Sequence, residues 1–397
     1  MKKYYSLKEI KEEKRMSEFI QIHMLASYPP SNLNRDDLGR PKTATVGGTQ
    51  RIRVSSQSLK RSWRTSEAFS DALKGAIGIR TRDMGVKIKK ALVEGRLLSD
   101  ILEGKESGVT RERIKDEKKA HEWAVKISSH FGKIEGGKEK DSDKKSEKTD
   151  EKSNKNPLSH KQMVHYSPEE IAGIDDLLGR ISGGEKVSDD DCIRLRSDHK
   201  AVDIALFGRM LADNAAYNTE AAVQVSHAIT VHDTPVEDDY FTAVDDLNQL
   251  DDTAGAGHIG EAEFGAGLFY TYICINRDLL KENLQGDNEL SNRAIEALIR
   301  AASMVSPSGK QNSFASRSYA SYLLVEKGTE QPRSLAAAFF KPVSGKDIYG
   351  DAVKNLEGLR DRMDNAYGTS FKQSSRSMNV IDGTGSLTDI ISFVLES

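Results

Sequence analysis

Bulky apolar side chains run from Phe19 to Leu25 and read as a short β-strand buried on both faces. Ser27 to Asn34 then reads as a turn-rich stretch, because Pro29-Pro30 prevents any helix. Ser55-Ser56 supplies an N-cap pair for a helix of about five turns, Gln57 to Lys74. Leu59, Trp63, Phe69 and Leu73 form its core-facing stripe. From roughly 83 to 212 the helical period dominates, in the pieces Val86 to Leu98, Ala120 to Phe131, Pro168 to Leu178 and Asp198 to Asp213. The β-signal returns in Leu268 to Asn276, Tyr319 to Lys327 and Ala336 to Val343. A helix over Ser291 to Val305 separates the first two, with Leu298, Ala301, Ala302 and Val305 at core spacing. This order predicts an α+β fold with a ferredoxin-like βαββαβ core interrupted by a large helical insertion.

Composition adds limits. A hydrophobic fraction of 37% over 397 residues is below the globular norm of about 45–50%, which counts Gly, so part of the chain is solvated. Residues 133 to 155 hold 8 Lys against 7 Asp+Glu with almost no apolar content, and read as a disordered surface loop. Residues 1 to 15 form a charged leader ahead of Met16 and carry no functional assignment. Cys192 and Cys274 lie far apart with no CxxC near either, which excludes a zinc ribbon or disulfide scaffold and fits free thiols in a reducing cytosol. No apolar run approaches the ~18 residues of a membrane span, nor does the start resemble a signal peptide. A soluble, cytoplasmic protein without a membrane partner is expected.

The net charge of −3 conceals a segregation. From Leu38 to Ser66 there are seven bases (Arg40, Lys42, Arg51, Arg53, Lys60, Arg61, Arg64) and no acid; from Asp233 to Gly257 there are eight acids and no base. At about 100° per residue, Gln57, Lys60, Arg61 and Arg64 share a helix face opposite the apolar stripe. The helix N-terminus adds backbone N–H groups and a favourable dipole. Arg51 and Arg53 alternate with Ile52 and Val54, so both are expected on one face of a short strand. The Val54-Ser55-Ser56 junction therefore reads as a phosphate-binding surface. Tyr240-Phe241 stands among Glu237, Asp238, Asp239, Asp245 and Asp246 and cannot turn both rings to one core. Either one ring buries while the other covers a seam, or the pair is a stacking wedge for bases. The surrounding acids would repel phosphate and suit a basic surface on another subunit.

Catalytic motifs are weak. Gly255-Ala-Gly257-His-Ile-Gly260 satisfies GxGxxG, but it follows an acidic loop and precedes a strand, the reverse of the dinucleotide context. His121-Glu122 lacks the second His of a zincin, and neither Walker A nor GxSxG occurs. His227 and His232 lack a carboxylate pattern for metal and read as satisfied polar or core histidines. Asp36 and Asp37, beside Arg35, are expected to pair with nearby arginines and shape their loop. No catalytic residue, metal or cofactor is expected.

Several blocks in series resemble the CasC family, the backbone subunit of the type I-E CRISPR Cascade surveillance complex. They are Phe19 to His23, Leu33 to Asp37, Gly47-Gly48, RIRVSSQSLKRSWR (Arg51 to Arg64), Val202 to Met210, Ala222 to His232, Asp239 to Leu247 and Gly257 to Asn276. The resemblance implies an RRM-like palm (16–82 and 267–397), a helical fingers insertion (83–212) and a projecting thumb loop (213–266). It implies head-to-tail assembly of several copies along a CRISPR RNA, with other Cascade subunits, presenting the spacer for pairing with target DNA. By motif, Arg35, Lys42, Ser55, Gln57, Lys60, Arg61 and Arg64 would hold the RNA backbone. Met210 would lie beside the bases, and Tyr240, Phe241 and Thr242 would sit on the thumb over the guide. Related sequences can carry Trp where Tyr240 stands, and 133–155 looks like an insertion within the fingers. Two alternatives accompany this reading: metal-dependent cleavage of RNA through Asp36 or Asp37, as in backbone subunits of other effector types, and a stand-alone RRM-type RNA-binding protein.

Overall fold

The apolar run at Phe19 opens strand β1, Phe19–Ser31. Burial on both faces is borne out: Ile20, Ile22 and Met24 alternate with Gln21, His23 and Leu25, and none is more than 4% exposed. In this computed structural model, which describes residues 17–106, 108–136, 156–195, 200–211, 217–243 and 258–396, β1 is flanked on both sides. It runs antiparallel to β9 (His258–Asn276) and to β10 (Ala320–Gly328). The strand passes through Pro29-Pro30, where a turn was expected. The ladder to β10 ends at Ala26, and the ladder to β9 skips from Tyr28 to Ser31, so neither proline has to donate.

The remaining strands are β2 (Thr43–Val46), β3 (Thr49–Val54), β4 (Ile79–Thr81), β5 (Val164–Tyr166), β6 (Val223–Val225), β7 (Ala228–Thr230), β8 (Glu237–Ala243) and β11 (Ser375–Asn379). Among the described residues nine of the eleven strands form one antiparallel sheet of order β11-β10-β1-β9-β7-β3-β2, with β6 and β8 also on β9. Gly47 and Gly48, with φ of 61° and 81°, make the two-residue turn between β2 and β3. The result is a mixed α and β architecture on an antiparallel sheet.

Two compact units make up the chain: Met1–Ala72 with Val223–Leu280 and Asn292–Ser397, and Leu73–Ala222 with Lys281–Ser291. In the first, Leu25, Tyr270, Tyr322 and Leu324 of the sheet pack with Leu335, Phe339, Ala352 and Leu356. Ala336 to Val343, expected as a strand, instead contains a 3₁₀ turn, Ala336–Phe339, which brings Leu335 and Phe339 into the core together. The helix expected over Gln57 to Lys74 is two, α1 (Ser56–Arg64) and α2 (Glu67–Ala72). Hydroxyls cause the break: Ser66 Oγ donates to Trp63 O and accepts from Phe69 N, while Thr65 Oγ1 donates to Arg61 O. The stripe survives, with Leu59, Trp63, Phe69 and Leu73 all buried.

The second unit is mostly helical, with a small β4–β5 ladder. Its core gathers Met84, Ile88 and Leu92 from α3 (Met84–Glu94), Ala124 and Ile127 from the helix Glu117–Ser129, and Ile174 and Leu178 from the helix Pro168–Ser182. The piece expected as Val86 to Leu98 stops at Glu94 because Gly95 turns left-handed (φ 68°), and Leu98 starts a new helix. Of the piece expected as Asp198 to Asp213, the described residues (200–211) are helical over Val202–Phe207, closed by Gly208, and 198–199 and 212–213 lie outside the described residues. The charged leader, most of the 133 to 155 segment (137–155), Asp245, Asp246 and Gly255 to Gly257 lie outside the described residues. No described helix is long and apolar enough to cross a membrane.

Inside the sheet sits a buried polar chain. His23 Nδ1 is 2.9 Å from Tyr270 OH and its Nε2 is 3.2 Å from Glu326 Oε2. Glu326 also accepts from Arg333 (2.5 Å), which reaches Asp364 (3.3 Å). Burial pushes the His23 pKa below its usual 6.5. Burial also opposes the Glu326 charge, but hydrogen bonds from His23 and Arg333 outweigh it and hold that pKa low. Below about pH 6.5 the unfolded His23 takes up a proton that the folded one resists, so stability falls as pH falls. His23→Gln should remove up to about 1.4 kcal/mol per pH unit from that slope. Thermal midpoints between pH 8 and 5.5 check this, and an identical slope in the variant would refute it.

Candidate nucleic-acid interface

Strand β3 runs straight into α1, and side-chain hydrogen bonds fix the junction. Ser55 is the N-cap, its Oγ accepting from Ser58 N at 3.3 Å. The Ser55 amide donates to Asn34 Oδ1 (2.9 Å), while Asn34 O accepts from Lys42 N (2.8 Å) and Lys42 O from Arg53 N (2.7 Å). The loop carrying Arg35 and Lys42 is thereby strapped to the start of α1. Asp36 closes its tip, Oδ1 accepting from Leu38 N (3.0 Å) and Arg40 N (2.9 Å). The expected pairing of Asp36 and Asp37 with arginines is not found among the described residues. Backbone amides satisfy Asp36, and Arg40 turns instead to Glu263 at 3.1 Å.

His227, in the turn between β6 and β7, reaches the same junction. Its Nδ1 lies 3.0 Å from Arg53 Nη1 and 3.3 Å from Ser56 N. Burial, and then the charges of Arg53, Lys42 and Lys60, push its pKa down. Three cations from a loop, a strand and a helix thus converge on one imidazole. Ser55 is buried, Arg35, Gln57 and Arg61 are exposed, and Lys42, Lys60 and Arg64 are half-buried. Burial also lowers the Lys60 pKa. Arg35, Lys42, Arg53 and Arg61 have no carboxylate partner among the described residues, so the surface keeps positive potential that an anion can meet. The end of α1 is less open than its sequence suggests, since Ser55 Oγ and His227 already occupy the Ser58 and Ser56 amides.

Arg51 departs from expectation. It is fully buried and donates to Thr230 O (2.9 Å), Phe339 O (3.1 Å) and Thr49 Oγ1 (2.9 Å). Alternation does place Arg51 and Arg53 on one face of β3, but the Ala336–Phe339 turn covers that face at Arg51. Arg51 is a structural cation that ties β3, β7 and the turn together.

The acidic stretch expected as a loop is in part a hairpin. Strand β8 pairs with the start of β9, setting Tyr240 opposite Glu261, Phe241 opposite Gly260 and Thr242 opposite Ile259. Tyr240 is 61% and Phe241 45% exposed, and alternation sends them to opposite faces. Thr242 is exposed too. The Phe241 ring lies across Gly260, where a Cβ would come within 2.4 Å of ring Cζ, so glycine is needed there. His232 is a satisfied polar residue, its Nε2 accepting from Leu268 N at 3.2 Å. Met210 belongs to the second unit and is 83% exposed. It follows Arg209, whose guanidinium is anchored on buried Glu170 at 2.8 Å.

The sequence matches the CT1975-like protein family over residues 20–389. The chain belongs to the CT1975-like family. Its recognition as a CasC-type relative is thereby borne out. This family member resembles a chain of a "CRISPR RNA-guided surveillance complex, pre-nicking" at 28% identity and a TM-score of 0.74, covering 95% of this chain and 99% of that one. A second chain, from a "CRISPR RNA-guided surveillance complex", shares the fold at 24% identity and a TM-score of 0.54, over 95% and 98%. A search of curated proteins returns no match. Of the residues singled out in this CT1975-like chain, Arg35, Lys42, Ser55, Gln57, Lys60, Arg61 and Arg64 come from one strapped junction. His227 is the member that sequence reasoning passed over, and only its long-range bond to Arg53 reveals it.

Arg51→Met leaves two buried carbonyls unpaired and should lower the unfolding free energy by about 1–3 kcal/mol. Denaturant titration measures this, and an unchanged midpoint would contradict the structural role.

Proposed function

We propose that this protein is a CRISPR RNA-binding backbone subunit of a type I-E Cascade surveillance complex. Copies line up head to tail along the guide and present its spacer for pairing with target DNA in antiviral defence. The observation that carries the proposal is the convergence of Lys42, Arg53 and Lys60 on the capped start of α1. A guide of any sequence must be held by phosphate and sugar, and that surface offers charge and hydrogen bonds without reading bases. Arg35, Lys42, Ser55, Gln57, Lys60, Arg61 and Arg64 take the backbone from an RRM-like palm, and exposed Met210 contacts bases. Tyr240, Phe241 and Thr242 act from the hairpin as the thumb, where an exposed ring can stack on any base.

Repetition along the strand multiplies a modest affinity per subunit, and a head-to-tail contact that does not close yields a helical filament. Other Cascade subunits are its further partners. We assign the protein no catalytic step, and Asp36 a loop-shaping role through Oδ1, which accepts from two loop amides. The buried free thiols Cys192 and Cys274 suit a cytoplasmic setting.

Binding of single-stranded RNA across a salt series tests the reading. Replacing Lys60, Arg61 and Arg64 together by Ala should weaken binding to all sequences alike and reduce the log–log salt slope by about 2, at about 0.7 per phosphate contact. An unchanged slope would remove the basic face from the function. Phe241→Ala should lower affinity by about tenfold at most without altering the slope, since stacking releases no counterions. A flattened slope in that variant would argue against stacking.

A further inference from the structure

We propose that His227 is a further ligand of the RNA backbone, presenting its Nε2–H to a phosphodiester oxygen as a neutral donor among Lys42, Arg53 and Lys60. This rests on the RNA-binding reading above and adds a residue and a bonding role to that site. The argument begins with what the neighbours can do. A backbone amide and a guanidinium donate hydrogen bonds and accept none. Ser56 N and Arg53 Nη1 both approach His227 Nδ1, at 3.3 and 3.0 Å. Nδ1 must therefore carry the lone pair, which leaves the ring proton on Nε2.

The same two bonds fix the ring's direction, because turning it would break both. The side chain is exposed, and Nε2 has no acceptor among the described residues. What remains is a fixed, solvent-facing donor in a field made by three cations. An imidazolium would add a fourth positive charge and lose the Nδ1 acceptor, so the neutral form is the one the junction holds. An anionic oxygen drawn in by the cations meets this N–H without reorganisation of the site.

A neutral donor differs from its neighbours in a measurable way. Lysine and arginine contacts release counterions and set the salt slope, whereas an imidazole N–H adds affinity and leaves the slope alone. His227→Asn keeps an acceptor near the Nδ1 position for Ser56 and Arg53 but lacks the outer N–H. His227→Gln extends an amide N–H toward the place of Nε2.

The experiment measures binding of the full chain to single-stranded oligouridine over a salt series, with Lys60→Ala and Arg61→Ala alongside. His227→Asn should weaken binding roughly tenfold with an unchanged slope, and His227→Gln should recover part of the loss. Wild-type affinity in His227→Asn overturns the proposal. So does a flattened slope, which would mean that His227 acts only by holding Arg53. If Lys60→Ala and Arg61→Ala leave affinity untouched, the RNA-binding reading itself has failed. If they weaken binding and His227→Asn does not, only the histidine's role falls. Thermal midpoints establish that each variant is folded, and should His227→Asn unfold, the recovery or loss in His227→Gln relative to Lys60→Ala decides.

Discussion

Strand β1 is hydrogen-bonded on both edges, to β9 over most of its length and to β10 as far as Ala26. That double pairing constrains the whole first unit. It holds together segments more than two hundred positions apart in the chain, and it sets which side chains of the first apolar run face which layer. Because the register is antiparallel with a period of two, a slip by one residue would exchange His23 and Gln21 for Ile22 and Met24 on every face. The buried His23–Glu326–Arg333 chain works against such a slip, since only one register brings imidazole, carboxylate and guanidinium within bonding distance. The loop that leaves β1 carries Arg35 and Lys42, so the place of these cations follows from the same pairing.

Local chemistry was legible where local chemistry decides. The Ser55 cap, the Leu59–Trp63–Phe69 stripe and the cationic face of α1 depend on residues a few positions apart, and each is found where spacing places it. The second unit's helices were legible for the same reason, apart from the glycines that cut them. Family resemblance extended the picture through blocks that run from Phe19 to Asn276, and the family match reaches further, over residues 20–389.

What spacing could not supply was long-range cover. Arg51 and Arg53 are equivalent in any alternating pattern, yet Arg51 is bonded to Phe339, 288 positions away, and Arg53 to His227, 174 positions away. Only the fold tells a structural guanidinium from one left at the surface. Ala336 to Val343 reads as β by local composition, while burial of Leu335 and Phe339 together favours a tight turn. The acidic hairpin was hidden for the opposite reason. Its residues have poor strand propensity, and pairing with the start of β9 overrides it.

Strand β9 runs unbroken for 19 residues, pairing with β1 at one end and β8 at the other. At about 3.3 Å per residue it is a beam roughly 60 Å long. Glycines that would ordinarily soften such a beam are packed instead: a Cβ at Gly265 would strike Ile52, and one at Gly267 would crowd Thr230 and His232. They serve close approach and not bending. The Tyr240–Phe241 pair is therefore cantilevered from the sheet's interior, and a force on either ring is carried as a lever arm into the strands that hold the cationic junction.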